Sequence, residues 1–278
     1  MRTTSSAVVL ALALALALVP AAWSAEGPAR PLPLWEVGVG GATGSQQAYP
    51  GAAEQTTRTL VLPYAIYRGQ FVRSDGGSVG VRALRTPRFE FDLGLAGSLG
   101  SNSARIEARR GMPDLGTLIE AGPRLRWNLA GDEAGDSWRL DLPLRGVFDL
   151  SNGLAGRGVV FEPRLTYASR IQGWRWSASG GAVFGSRSLT DHFYGVAPQF
   201  ATASRPAYEA RAGLIAWRVS GGLSYSITPD LRAFASLRLD TVAGAANASS
   251  PLVRERQGAS AGVGFVYTLM SSKRPAFD

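Results

Sequence analysis

A single histidine, His192, stands in the segment Thr190-Asp191-His192-Phe193-Tyr194, with Ser186 and Ser188 just upstream. Serine, histidine and a carboxylate within hydrogen-bond reach are what nucleophilic acyl hydrolysis needs, the hydroxyl attacking while the imidazole takes its proton. Here the three types are neighbours in sequence, a spacing that seldom builds a triad, and no Gly-x-Ser-x-Gly elbow presents either serine. The plain reading of His192 is a surface loop side chain, so no catalytic residue is expected. One histidine and no cysteine exclude the usual zinc sets, and no acidic run has the spacing of a calcium loop. No metal and no cofactor is expected. Gly38-Val39-Gly40-Gly41 follows an apolar stretch as a dinucleotide-binding turn would, but that turn opens a helix and here Tyr49-Pro50-Gly51 intervenes. These glycines, like those from Gly153 to Gly158, suit crowding in a curved sheet wall. Asn247-Ala248-Ser249 matches a glycosylation acceptor in form, with no consequence attached to it.

The segment Arg109-Arg110-Gly111-Met112-Pro113-Asp114 concentrates charge and turn formers in one loop just before an apolar-periodic stretch. A loop that rejoins a strand can fold over an adjoining opening, which makes these residues a candidate recognition or gating element. The alternative is that Arg109, Arg110 and Asp114 pair with interior carboxylates and pin the loop.

What must position such groups is a set of alternating stretches. In 88–99, Phe89, Phe91, Leu93, Leu95, Gly97 and Leu99 share one face and Arg88, Glu90, Asp92, Gly94, Ala96 and Ser98 the other. Period two means a strand, because successive side chains point oppositely. The stretch 139–150 repeats this, with Arg139, Asp141, Arg145 and Asp149 on its polar face, and 231–241 repeats it again. Weaker versions occupy 35–41, 57–68, 116–129, 158–170, 174–185, 214–227 and 258–269, which makes ten strands. The stretch 69–87 flanks Asp75-Gly76-Gly77 and reads as a small periplasmic hairpin or as an extra strand pair, which would make twelve.

Connections at 131–136, 171–173 and 228–230 are tight, while those at 42–56, 100–115, 151–157, 186–210 and 243–257 are mostly longer. Short turns at one end and long loops at the other describe a transmembrane antiparallel β-barrel with both termini in the periplasm and five outer loops. Trp127, Trp138, Phe148, Trp174, Trp176, Phe184, Trp217 and Tyr267 lie towards strand ends, as interface girdles do. The competing soluble β-barrel or sandwich fits less well, since strands of ten to thirteen residues exceed the usual ~5–6. The charged faces then line the lumen: Glu90, Asp92, Arg124, Arg126, Arg139, Asp141, Arg145, Glu162, Arg164, Arg232, Arg238 and Asp240. Their mixed signs predict a salt-bridged interior with at most a narrow path, too small for a general porin.

Met1-Arg2-Thr3-Thr4, the apolar run from Ala7 to Val19 and the following Pro20-Ala21-Ala22-Trp23-Ser24-Ala25 read as a secretory signal peptide over 1–25. Residues 26–278 are then one barrel domain. Without Arg2 the mature chain carries 28 basic and 21 acidic residues, a net charge of +7, and every basic residue but Lys273 is arginine. These charges alternate along strands and do not cluster, which argues against nucleic acid. Arginine facing anionic lipopolysaccharide and outer-membrane lipid, or pairing in the lumen, accounts for them.

Several segments resemble the MipA/OmpV family of outer-membrane proteins, grouped with the MltA-interacting protein. Arg109-Arg110-Gly111-Met112-Pro113-Asp114-Leu115 is similar to that family's most recognisable motif. Pro33-Leu34-Trp35-Glu36-Val37-Gly38, Leu62-Pro63-Tyr64 with Tyr67-Arg68-Gly69, Phe193-Tyr194-Gly195-Val196 with Pro198, and Ser250-Pro251-Leu252-Val253 accompany it in order. The resemblance implies a scaffold for peptidoglycan synthesis at the Gram-negative cell wall, bridging a lytic transglycosylase and a bifunctional penicillin-binding synthase. Other members are regarded as porin-like or adhesive, so a narrow channel for small solutes or ions, and a surface adhesin, stand as alternatives. The chain departs from the family at its end, running past Tyr267-Thr268-Leu269 to Pro275-Ala276-Phe277-Asp278. Barrel assembly would then read Phe265 and Tyr267 internally, or Phe277.

Overall fold

The computed structural model describes residues 32–276 except 70–71, 76–77, 99 and 132–134. The expected signal peptide and Phe277 lie outside the described residues. Strands β1 (Trp35–Gln47), β2 (Gln55–Arg68), β3 (Val72–Asp75), β4 (Ser78–Arg85), β5 (Phe89–Ser98), β6 (Leu118–Gly131), β7 (Ser137–Asp149), β8 (Ala155–Phe161), β9 (Arg164–Ile171), β10 (Trp174–Gly185), β11 (Gly213–Ser226), β12 (Leu231–Thr241) and β13 (Gln257–Ser271) follow in order. Every pairing is antiparallel, and β13 closes on β1 from Ser271 opposite Glu36 to Ala261 opposite Ser45. Closure removes the sheet edges that a bilayer could not satisfy. No helix among the described residues is long and apolar enough to cross a membrane.

β8 and β9 share one place in the wall, between β7 and β10. They are one stave broken at Glu162-Pro163, because proline has no N–H to give to the ladder. Among the described residues the barrel therefore has twelve staves, the larger of the two numbers expected. The stretch 69–87 supplies the difference: β3 and β4 form a hairpin whose outer strand pairs with β5 from Gly80–Gly94 to Arg85–Glu90. β1 also runs past the expected 35–41 to Gln47, so the loop expected at 42–56 shrinks to 48–54. The outward side chains there are Thr43 and Ser45, the inward ones Ala42, Gly44 and Gln46, and buried Gln47 donates its Nε2 to Ala52 O (2.7 Å), so no apolar face marks the strand.

One end carries the tight turns, including Gln172 and Gly173 at φ 50° and 82°, the left-handed pair that a two-residue hairpin requires. Both described termini lie at this end, Leu34 N–H donating to Arg274 O (2.8 Å) and Ala276 N–H to Leu32 O (2.6 Å). That end is periplasmic by the general rule for such barrels. Aromatic side chains gather there in outward-facing pairs: Phe89 on Trp127 (5.5 Å), Tyr167 between Trp138 and Trp176 (5.0 and 5.1 Å), and Trp174 on Tyr225 (4.6 Å). Phe161 and Phe184 (6.3 Å), with Phe148 and Trp217 exposed beside them, mark the other interface.

Because the lumen is charged, the main apolar core forms elsewhere. Tyr49, Ile106, Leu115, Leu189, Tyr194, Val196 and Leu252, all buried, pack together in the outer loops with Val147, Val160 and Ile215 at the strand tops. Four of the five outer loops, all but 150–154, thus build a folded cap over the mouth.

Candidate functional site

Within the cap, 186–212 forms helix α1 (Arg187–Tyr194), which turns Leu189, Thr190 and Tyr194 inward. Arg109 is 3 % exposed; its Nε donates to Ser103 Oγ (3.3 Å), Nη1 to Phe193 O (3.1 Å) and Nη2 to Pro113 O (3.2 Å), with the guanidinium 5.9 Å from the Tyr49 ring centre. Asp114 accepts from Ser103 N–H at 2.6 Å, and Gly111 turns the chain at φ 83°. Arg110 points outward, its carbonyl accepting from Arg205 Nη1 (3.0 Å). The motif is therefore pinned, but to carbonyls and a hydroxyl of the cap, which corrects the expected pairing with lumen carboxylates. Ile106, Ala108 and Leu115 hold the segment over the mouth and keep it out of the lumen.

The same core ties distant segments together. Tyr49 Oη donates to Leu252 O (2.7 Å), Tyr194 Oη to Pro50 O (2.9 Å) and Ser250 Oγ to Tyr194 O (2.8 Å). Asn247, which had no role assigned from sequence, is 2 % exposed and brackets Arg211, accepting from its N–H and donating to its carbonyl, both at 2.8 Å. Burial, only partly offset by Arg109 nearby, pushes the Tyr49 hydroxyl up to about 12, so it stays a donor. Gly153 ends a 3-10 turn at φ 60°, a turn role in place of the expected relief of wall crowding.

His192 is half-buried in this cap, its Nε2 shielded from solvent without a hydrogen-bond partner and its ring edge-on to Phe193 at 5.3 Å. This corrects the surface reading. Burial, with Arg157 and Arg109 adding and Asp149 opposing, holds the imidazole down at about 4. Among the described residues no hydrogen bond joins it to a serine or carboxylate, and Ser186 Oγ instead accepts from Val159 N–H (3.0 Å). No group of three His, Cys, Asp or Glu side chains among the described residues could hold a metal ion.

Beneath the cap, the lumen-facing charges form a ladder around half the wall. Arg124 pairs with Asp92 (2.6 Å), and Arg126 reaches Glu90 (3.4 Å) and Asp141 (3.3 Å), which Arg139 also contacts (3.1 Å). Arg145 joins Glu120 (2.8 Å) to Glu162 (3.0 Å), Arg218 joins Glu162 (2.9 Å) to Asp240 (2.7 Å), and Arg238 ends the run on Asp240 (3.2 Å). Glu120 and Arg218 are additions to the sequence reading; both lie on weakly alternating strands, Glu120 four positions from inward Arg124. Arg164 and Arg232 show no ion pair among the described residues.

The opposite wall is apolar. Rows Leu60–Ala42–Gly264–Phe234 and Leu62–Gly40–Val266 face inward, and Phe234 and Val266 are each 7 % exposed. The Phe234 and Tyr64 rings lie over Gly264 and Gly38, where any Cβ would collide with them. At the periplasmic end Arg68, 1 % exposed, donates to Glu36 Oε1 (2.7 Å) and Pro33 O (3.0 Å). A cavity of about 530 Å³ touches that apolar wall at Ala42 and Phe234, is bordered by Arg124, Arg145, Glu162 and Arg218 and is roofed by Tyr49, Leu189 and Phe193.

The segments that carried the family resemblance meet at two places. Those at 109–115, 193–196 and 250–253 build the cap, and those at 33–38 and 62–69 build the Arg68 staple and the Tyr64–Gly38 contact.

The NanC porin is similar to this chain at 13 % identity and a TM-score of 0.44, over 83 % of this chain and all of that one. The outer membrane phospholipase A of Escherichia coli is similar at 12 % identity and a TM-score of 0.37, over 89 % of this chain and 95 % of that one. An outer membrane channel from Pseudomonas putida F1 is similar at 14 % identity and a TM-score of 0.35, over 89 % of this chain and all of that one. Likeness at that distance says nothing of activity. No curated protein matches the chain. The model of the family described as MltA-interacting protein MipA matches residues 39–269, nearly the whole barrel and cap. The chain belongs to that family and is an outer-membrane β-barrel.

Proposed function

We propose that the protein is a periplasm-facing scaffold that links a murein hydrolase, a lytic transglycosylase, to a penicillin-binding murein synthase at the outer membrane. The observation that carries this reading is the cap: with the outer mouth roofed by packed loops, the periplasmic rim is where soluble enzymes meet the barrel. That rim offers the connections from β6 to β7, β9 to β10 and β11 to β12 and the tail after Ser271, tied to residues 32–34. The family's description as MltA-interacting points the same way. Exposed Arg105, Arg110, Arg187, Arg254 and Arg256 on the opposite, outer surface suit the anionic groups of lipopolysaccharide.

In-cell photocrosslinking from Asp136 and Ser272 tests the scaffold. Capture of a lytic transglycosylase or a murein synthase from either position, and not from Ser204 on the cap, is the expected result; capture of assembly factors alone overturns it. The cavity under the cap favours one second reading, a narrow conduit for small solutes. On that reading single-channel conductance in planar bilayers changes when Arg126 or Arg145 is replaced, and a silent bilayer removes it.

A further inference from the structure

The ion-pair ladder of the lumen is neutral in itself: its six arginines meet six carboxylates, and every one of those carboxylates is taken. Arg164 stands inside this set as a surplus positive charge. It lies opposite Asp141 in the β7–β9 register, but Asp141 gives Oδ1 to Arg126 (3.3 Å) and Oδ2 to Arg139 (3.1 Å). Glu162, two residues before it, gives Oε2 to Arg145 (3.0 Å) and Oε1 to Arg218 (2.9 Å). The Arg164 side chain is partly buried, borders the cavity and has neither an ion pair nor a hydrogen bond among the described residues. Arg58 also borders the cavity without a carboxylate, but it is exposed and donates to Gly100 O (2.5 Å). A guanidinium withdrawn from bulk water without a counter-charge is unfavourable, so the wall around Arg164 lacks one negative charge.

Beside Arg164 the wall turns from charge to hydroxyl. Thr166, the next inward residue of β9, shares one cross-strand row with Ser179 of β10 and Ser220 of β11. Neighbouring strands lie about 4.8 Å apart, so these three hydroxyls span about 10 Å of the wall. All three border the cavity, and none makes a hydrogen bond of its own among the described residues. In the adjoining row Gly181 stands between Arg164 and Arg218 and adds no side chain, which leaves a recess beside the guanidinium.

We propose that this part of the lumen is a binding site for a small sugar acid, with the carboxylate on Arg164 and the ring hydroxyls on Thr166, Ser179 and Ser220. One surplus positive charge matches one carboxylate, which a planar guanidinium holds through two parallel hydrogen bonds. A phosphate would bring about 1.5 to 2 negative charges and meet the neighbouring Asp141 and Glu162 with one of them uncompensated. A serine or threonine hydroxyl both donates and accepts, and so does each hydroxyl of a sugar. An apolar acid would cover the three side chains and leave them unsatisfied, which is costly. The volume of about 530 Å³ lies within the usual range of small-ligand pockets, about 300–1,000 Å³. The site is separate from the periplasmic rim, so it stands independently of the scaffold, and it binds whether or not the lumen conducts.

Isothermal titration of the full barrel in detergent with sodium glucuronate tests the site, against glucose, which has hydroxyls without the charge, and acetate, which has the charge without hydroxyls. The expected result is saturable binding of glucuronate, with glucose and acetate each weaker by about tenfold or more. Arg164→Gln should weaken glucuronate by about tenfold, the worth of a charge-assisted hydrogen bond, while Arg105→Gln on the exposed outer surface leaves it unchanged. Absence of saturable glucuronate binding overturns the proposal, as does equal binding of glucose or of acetate, or an Arg164→Gln protein that binds as the intact one does. Arg164→Gln breaks no ion pair, so it should keep the heat-modifiable mobility of a folded barrel. If it does not, the double change Ser179→Ala with Ser220→Ala decides: a severalfold loss of glucuronate affinity supports the site, and an unchanged affinity overturns it.

Discussion

Arg109 illustrates how a guanidinium is held without an ion pair: three acceptors converge on it and an aromatic face lies beside it. Arg109→Ala leaves Ser103, Phe193 and Pro113 without that donor and should destabilise the cap by about 3 kcal/mol, since buried unsatisfied groups cost about 1–3 kcal/mol each and share relaxation. Protease nicking within 186–212 on intact cells should rise accordingly, and Arg109→Lys should restore little because one ammonium cannot reach three divergent acceptors. The charge motif was visible in the sequence; its partners were not, because backbone carbonyls belong to no residue type. His192 gives a second outcome. Its folded value near 4 lies below the ordinary 6.5, so the folded cap favours the neutral ring. The stabilisation is complete above pH 6.5 and is lost as pH falls towards 4, by up to about 1.4 kcal/mol per unit. Hydrogen exchange in 186–212 should accelerate over that window, and His192→Gln should flatten the dependence; an unchanged profile would show that the imidazole is not the titrating group.

The strands at 174–185 and 231–241 end where their alternation ends. Elsewhere local chemistry moves the limits. Pro163 splits one expected strand into β8 and β9, and the polar stretch 42–47 extends β1 without an apolar face to announce it. β3 and β4 are short and glycine-flanked, so only their pairing with β2 and β5 distinguishes wall from protruding hairpin. Helix α1 is eight residues long and owes its stability to packing of Leu189 and Tyr194, a contact made across the cap. At this scale Gly264→Leu is the informative change. Its side chain would strike the Phe234 ring and the Gly41 carbonyl, where β13 meets both β12 and β1. The heat-modifiable folded fraction should drop several-fold, whereas Gly180→Ala, whose Cβ meets nothing within 4 Å, should leave it unchanged.

As a whole, the molecule is asymmetric along its axis: packed loops outside, a cavity with one ionic and one apolar wall in the middle, and tight turns with both described termini at the periplasmic end. The cap is the barrier to the outside. Replacing 188–208 by a short glycine-serine linker should open the mouth, and planar-bilayer recordings should then show a steady conductance well above that of the intact protein. A conductance no different from the intact protein would place the barrier lower, at the level of Arg126 and Arg145.

By itself the sequence determined a membrane barrel with alternating strands, girdles, a charged interior and the family, because period two, chain direction and turn chemistry are local and repeat many times. It also contained most of the inward carboxylates and arginines, since facing is a matter of parity; Glu120 and Arg218, on weakly alternating strands, escaped it. That the loops share a hydrophobic core, and that the resembling motifs meet above and below the lumen, follows from the tertiary structure alone. Those are contacts between residues up to about two hundred positions apart, such as Tyr49 with Leu252. Loop side chains have no fixed period, so such contacts are not encoded within the segment itself.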